Sequence, residues 1–537
     1  MYRILVAAIL AGATMGAALA ASQADALKTY VDTLSAQAMQ ATGDEAALPT
    51  GLAPDAGFSP GGARAFFPAA SVGWSAVEDG LRIEPWVENV TLPTFPPITL
   101  PQHAGYYLLG RQQNTDGTRW RGWVARVTLA GQLDTGFGYN GWLYSDAADT
   151  IADAALGSNR AYFLGNTQFG MPTTRVMCVD FGTHDSCYSP LAGLQLWNTT
   201  STGSNTAAYA QRLIYDSRYG LFVAARIMNT SFGQLAGVAR VNPSNGSLVT
   251  SFGNGGYYTG MSLTGHLSAN VLSLNDMALP RQGTPGGTRL YVAGQGKRGN
   301  GSHNAFTFAL DPDTGLLATN WGWYWYWWEG SYTGRTTAIS ALTVLSDGRL
   351  AFAGWLDSGD PNYQPMYLGV VRPDGSNDPG FCPGGTVSMC LVDTNANGGS
   401  GATAWEYKPY STPVALAQTR AGDLIVADRF RDYGFAAVAP ISNVHQRVRQ
   451  YTGTGFPQVK DSRALDLGAS ASTTRWSRPF GLWVGGTGLW NYTGGTGYGE
   501  EVVAMIGTRR WTNADFDATV LHLRLQEALL SDGFEGP

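Results

Sequence analysis

The sequence predicts an all-β protein, a seven-bladed β-propeller of four-stranded antiparallel blades with a short N-terminal helix outside the ring. Three observations carry that expectation. Residues 239–253 align without a gap on residues 308–322, and copies shorter by one residue run over 125–138 and 369–382. Self-similarity at this scale marks a repeat architecture. Seven short β-branched or aromatic runs end in small residues, at Gly110, Gly165, Ala225, Gly294, Gly354, Ala427 and Gly507. Their spacing of roughly 55 to 80 residues is too wide for a one-strand coil and right for a blade of four strands. Finally, Asp347-Gly348 and Asp374-Gly375 separate apolar runs, a hairpin signal because glycine supplies the positive φ that the turn needs.

One copy shows the elements in order. A first strand over 339–345 turns at Ser346-Asp347-Gly348 into a second over 349–355; a third over 367–372 turns at Pro373-Asp374-Gly375, and the fourth follows Cys382. Such a sheet cannot bury both faces alone, so neighbours must stack. A two-sheet sandwich has no reason to repeat its sequence seven times.

The chain divides accordingly. Arg3, the apolar stretch from Ile4 and Ala18-Leu19-Ala20 before Ala21 read as a secretory signal over 1–20. That stretch is short for a membrane span, and no later apolar run is long enough for one. The mature chain is therefore expected to be secreted or periplasmic, without a transmembrane segment. Residues 21–71 are expected to hold a helix and a linker: Leu27, Val31 and Leu34 recur at helical spacing within 24–39, and 46–66 is rich in Ala, Pro and Gly. The propeller is expected over 72–528, followed by a tail over 529–537. Because little chain remains after Gln526 to complete the last blade, residues within 72–92 are expected to supply its outermost strand, with Pro85 at an unpaired edge or a bulge.

Leu345-Ser346-Asp347-Gly348-Arg349-Leu350, together with the glycine–leucine–Phe/Trp–glycine pattern of the fifteen-residue stretch, resembles the delta-60 repeat, a secreted bacterial β-propeller module. The resemblance is good around residues 120, 240, 310 and 370 and weak around 178, 440 and 520. It implies a fold and supplies no catalytic residues. The ending from Leu529 to Glu535 resembles a short terminus of many exported proteins of Gram-negative bacteria.

Composition narrows the function classes. A net charge of −6 excludes a broad basic face for nucleic acid. Charged residues at 14% and 70 glycines suit a β-rich extracellular protein, while 44% apolar residues exclude a disordered one. Of the three pairings open to four cysteines, the local pair Cys178–Cys187 and Cys382–Cys390 closes the shortest loops. Neither spacing is the C-x-x-C of zinc or redox sites. No metal site and no cofactor are expected. The nucleophile-elbow, zinc-helix and phosphate-loop signatures do not occur, and His103, His184, His266, His303, His445 and His522 lack metal spacing. Asp311-Pro312-Asp313 starts like a calcium loop but lacks the later glycine and glutamate, and reads as a turn.

The candidate ligand-binding residues are aromatic. In the run from Trp321 to Trp328, Trp325 and Trp327 share one strand face. Such rings stack on sugars, or fill the gap between blades as part of an outer strand; alignment with the residues after Phe252 favours the second for most of them. Longer insertions near 396–411 and 462–499 bring Trp405, Tyr407, Tyr410, Trp476, Trp483, Trp490 and Tyr492. Long loops on a rigid ring gather binding residues. Two functions follow as expectations: a scaffold binding a glycan or a cell-surface protein through its loops, or a carbohydrate-active enzyme (a polysaccharide lyase or glycosidase) with its site at the channel mouth. A cluster of carboxylates, His or Tyr at that mouth would favour the enzyme.

Overall fold

The computed structural model describes residues 51–59, 62–66, 73–92, 98–167, 173–188, 194–196, 205–229, 233–260, 270–297, 303–318, 321, 323–326, 335–357, 359, 364–383, 389–392, 410–431, 444–464, 476–486, 490–491, 496–497, 501–512 and 515–526. Among these, no α-helix occurs, and the helix expected over 24–39 lies outside them.

The strands form seven antiparallel blades. Blade one is Trp74–Leu92, Ile98–Asn114, Trp120–Thr128 and Trp142–Ala148; blade two is Thr150–Leu156, Arg160–Thr167, Thr173–Asp180 and Leu194–Leu196. Blade three is Asn205–Asp216, Gly220–Asn229, Gly233–Val241 and Tyr257–Gly260; blade four is Asn270–Ala278, Leu290–Lys297, His303–Leu310 and Trp323–Tyr326. Blade five is Thr337–Val344, Leu350–Leu356, Met366–Val371 and Met389–Leu391; blade six is Tyr410–Gln418, Leu424–Arg431, Val444–Tyr451 and Val459–Ala464. Blade seven has Trp476–Gly486, Glu501–Thr512 and Asp515–Gln526. Each first strand touches the first strand of the next blade, the seventh touching the first, so the first strands surround the axis.

Seven apolar clusters hold the ring, each built from two neighbouring blades. Phe222 and Phe252 of blade three meet Phe306 and Phe308 of blade four, for example. This explains the second-strand runs: buried on both faces, they carry no polar alternation.

The fifteen-residue repeat serves the same interfaces. Arg160 donates to the carbonyl of Pro243 at 3.0 Å, Arg240 to that of Pro312 at 3.1 Å and Arg289 to that of Pro373 at 2.8 Å, each from one blade to the turn of the next. The turn glycine is required by position. Gly315 has φ +68°, and a Cβ there would lie 2.6 Å from the backbone nitrogen of Gly253 in blade three.

Both disulfides form as expected, Cys178–Cys187 in blade two and Cys382–Cys390 in blade five.

Ring closure corrects the expected boundaries. The outermost element of blade seven comes from Gly51–Pro54 and Ala63–Phe66, which pair antiparallel with Asp515–Gln526. The ring thus begins near residue 51, inside the segment read as a linker. Trp74–Leu92 is instead the inner strand of blade one; it packs against blade seven and shares one parallel ladder pair with it, Val77 with Phe516. Pro85 pairs opposite Tyr106 on that axial edge strand, where a missing N–H is tolerated as it would be on an outer edge.

Candidate functional site

Every first strand carries a bulge at an equivalent level, where one extra residue interrupts the ladder with the second strand. The residue after the bulge is, in blade order, Arg82, Asp153, Arg212, Asp276, Ala341, Ala415 and Gly481. Four consecutive blades therefore present alternating Arg and Asp, and three present small residues. A bulge bends the strand and loosens its backbone groups, and here the neighbouring blade satisfies several of them. Asp153 accepts from Leu213 N in blade three, and Asp276 from Leu342 N in blade five at 2.8 Å. Asn275 donates to Ile339 O at 2.7 Å, and Arg212 donates to Asn275 O.

Arg82 is the centre of this row. It holds Asp153 bidentately, Nε to Oδ1 at 3.1 Å and Nη2 to Oδ2 at 2.9 Å. Its pKa is also raised by the charges of Asp276 and Glu84, so carboxyl groups from blades one, two and four all act on one guanidinium. Burial works against the Arg82 charge, but Asp153 foremost outweighs it and holds the side chain firmly protonated.

Glu84 differs from the two aspartates. It makes no hydrogen bond or ion pair among the described residues. Burial within the ring raises its carboxyl, Arg82 and Arg281 pull it down, and the nearby Asp153 charge adds to the rise. Asp276 is also raised, by burial, against the opposing pull of Arg212, Arg82 and two backbone N–H groups. Arg281, exposed just past the first strand of blade four, feels the charges of Glu84 and Glu501.

A second polar group lies at the junction of blades seven and one. Tyr106 Oη and His522 Nε2 are 2.6 Å apart, and Asp55 Oδ2 is 2.9 Å from His522 Nδ1, off the line of a good ring N–H bond. Phe58 stacks on His522, sealing it. His103 packs edge-on to Tyr106, with ring centroids 4.9 Å apart, and burial brings its pKa down to about 4. Asp55, His522 and Arg524 also line a cavity of about 260 Å³ with Gly57, Leu129, Ala130 and Val502. Among the described residues, no group of three His, Cys, Asp or Glu could hold a metal ion.

The aromatic candidates among the described residues are spread over both ends of the ring and an outer strand. Trp405, Tyr407, Tyr492 and Trp327 lie outside the described residues. Tyr410 and Trp476 begin first strands, at the end of the ring opposite the first-to-second turns, while Trp490 belongs to a small two-stranded hairpin within such a turn. Trp325 lies on the outer strand of blade four, opposite Phe306. Trp483 is a correction: it sits in the first strand of blade seven, 8% exposed, packed on His103 and Tyr106, because part of the inserted segment around it is that strand and not a loop. The axial row escaped sequence reading because first-to-second connections differ in length from blade to blade, so these positions do not align by spacing.

No family model matches this chain, and no curated protein does. Among solved structures, an ulvan-degrading polysaccharide lyase is similar at 7% identity and a TM-score of 0.39, over 84% of this chain and 95% of the lyase. The β-propeller domain of the Trilobed protease from Pyrococcus furiosus matches at 7% and 0.36, over 79% and 95%. A Bacillus subtilis arabinanase matches at 14% and 0.31, over 58% and 99%. At these values nothing about activity follows from them. No helix among the described residues is long and apolar enough to cross a membrane.

Proposed function

We propose that the chain is an exported carbohydrate-active enzyme that cleaves a glycan at the axial mouth, with Glu84 as its proton-transferring group. The observation that supports this most is that the charges of Glu84, Asp153 and Asp276 all act on Arg82, with Glu84 alone of the three making no hydrogen bond among the described residues. Glycoside cleavage needs a carboxylic acid kept neutral beside a carboxylate kept charged. Burial favours the neutral form of Glu84, and Arg82 holds Asp153 as a bidentate ion pair. Two disulfides fit an oxidising compartment, as export requires.

The test is turnover by the purified mature protein on polygalacturonate, alginate, xylan and laminarin. New reducing ends without unsaturated uronate indicate a hydrolase, and unsaturated uronate indicates a lyase. Glu84→Gln should lose turnover and keep binding. A wild-type protein that binds one of these polymers without cutting it would shift the reading to a glycan-binding scaffold.

A further inference from the structure

The two ends of the ring are built differently, and the first-to-second turns all lie at the Glu84 end. In blades two, three, five and six those connections are short, running from Leu156 to Arg160, Asp216 to Gly220, Val344 to Leu350 and Gln418 to Leu424. Three blades depart from this. In blade one the inner hairpin continues past the Pro85–Tyr106 pair through seven more, from Trp86–Gly105 to Leu92–Ile98, an extension of about 20 Å at strand rise. In blade seven the connection from Gly486 to Glu501 carries its own two-stranded hairpin, which packs against the long hairpin of blade one. In blade four the chain from Ala278 to Leu290 forms a loop exposed at 281–283 and 285–288.

Blades one and seven are neighbours, and in a ring of seven blade four lies opposite the boundary between them. The raised elements thus face one another across the axis. The blade-four loop begins at the mouth, where Arg281 senses both Glu84 of blade one and Glu501 of blade seven. Farther along it leans on blade five, where a Cβ on Gly348 would lie 2.0 Å from Pro285 O. Among the described residues, the low rims are then blades two and three on one side and blade six on the other.

We propose that this end of the ring is a trough for a polysaccharide chain, resting on the reading of Glu84 above. The chain enters over blades two and three, crosses the mouth past Arg281 and Glu84, and leaves over blade six. A trough open at both ends accepts the interior of a polymer, so cleavage falls within the chain. A pocket for a terminal sugar would need one end closed.

The probes are size-graded oligosaccharides of polygalacturonate, alginate, xylan and laminarin, with binding measured on Glu84→Gln so that cutting does not intervene. The hexasaccharide should bind at least about tenfold more tightly than the disaccharide, since each added sugar finds a further contact. Replacing residues 282–287 with Asn-Gly should weaken the hexasaccharide and leave the disaccharide unchanged; Arg281→Ala, which keeps the loop, should weaken both. Early products from wild-type protein should be mixed oligosaccharides. Affinity independent of length, or release of single sugars only, would overturn the trough while leaving the Glu84 reading standing. No binding to any of the four polymers would overturn both.

Discussion

Arg524 Nε donates to Asp55 Oδ1 at 2.9 Å, joining residues 469 positions apart and fastening the N-terminal segment to the third strand of the last blade. The same carboxylate lies beside His522 and accepts from Gly57 N at 2.9 Å. A ring of blades stacked face to face needs such a fastening. Otherwise the outer edge of blade seven would expose unpaired backbone groups and the ring could open between its ends.

Asp55→Asn should therefore weaken closure. Loss of the ion pairs, with His522 and Arg524 left in place, is expected to cost about 1–3 kcal/mol. Urea unfolding followed by tryptophan fluorescence measures it. A fragment lacking residues 51–66 should lose more, since Leu52, Phe58 and Phe66 are all buried.

Acid should act through the same carboxyl. Burial alone would raise it, but His522 first, then Arg524 and the Gly57 N–H, bring it from 3.8 to about 2. A depressed folded pKa contributes stability that is complete above the unfolded value and disappears as pH falls from about 4 toward about 2. The acid limb of a stability–pH curve should show this loss in the native protein and lack it in Asp55→Asn.

Gly481 lies where the first strand of the last blade runs close against the first strand of blade one. A Cβ there would meet Leu81 O at 2.9 Å and Arg82 Cα at 3.0 Å, both backbone atoms that cannot swing aside. Gly481→Val should destabilise by about 1–3 kcal/mol through overpacking. It should also reduce turnover, because Arg82 moves with its strand. Unchanged stability would show that the interface yields.

Cys382 occupies a position where other repeat copies have glycine. Its φ of +53° matches +53° at Gly138 and +55° at Gly253, a region that costs a side chain about 1 kcal/mol. With the disulfide removed, Cys382→Gly/Cys390→Ser should be more stable than Cys382→Ser/Cys390→Ser by about that amount, read from denaturation midpoints under identical conditions.

Turnover should depend on pH through Glu84. Its raised carboxyl keeps the proton above its usual 4.5, so the rate should fall on the alkaline side at a pH above the ordinary glutamate range. Keeping the positive charge with Arg281→Lys should leave that limb in place, and removing it with Arg281→Ala should move the limb upward, because Arg281 opposes the rise.

What the residues alone determined was the repeated unit. Second strands buried on both faces must be continuous apolar runs, so Tyr107 to Gly110 and Leu424 to Ala427 announce the same element. Asp347-Gly348 specifies a turn by local conformation, and cysteines eight or nine residues apart close locally. Each of these signals is short in range, and each survives divergence between copies. The tertiary structure decided what depends on distant partners. Residues 51–66 carry no strand pattern of their own; they become strands because the edge of Asp515–Gln526 is there to be paired. Trp483 looks like a loop aromatic until the ring buries it against His103 and Tyr106. Tyr106 and His522, 416 residues apart, meet because the two ends of the chain share one interface. Arg82, Asp153 and Asp276 share one level of the ring because bulges recur in the first strands of separate blades around a common axis, and no spacing along the chain records the closing of a circle.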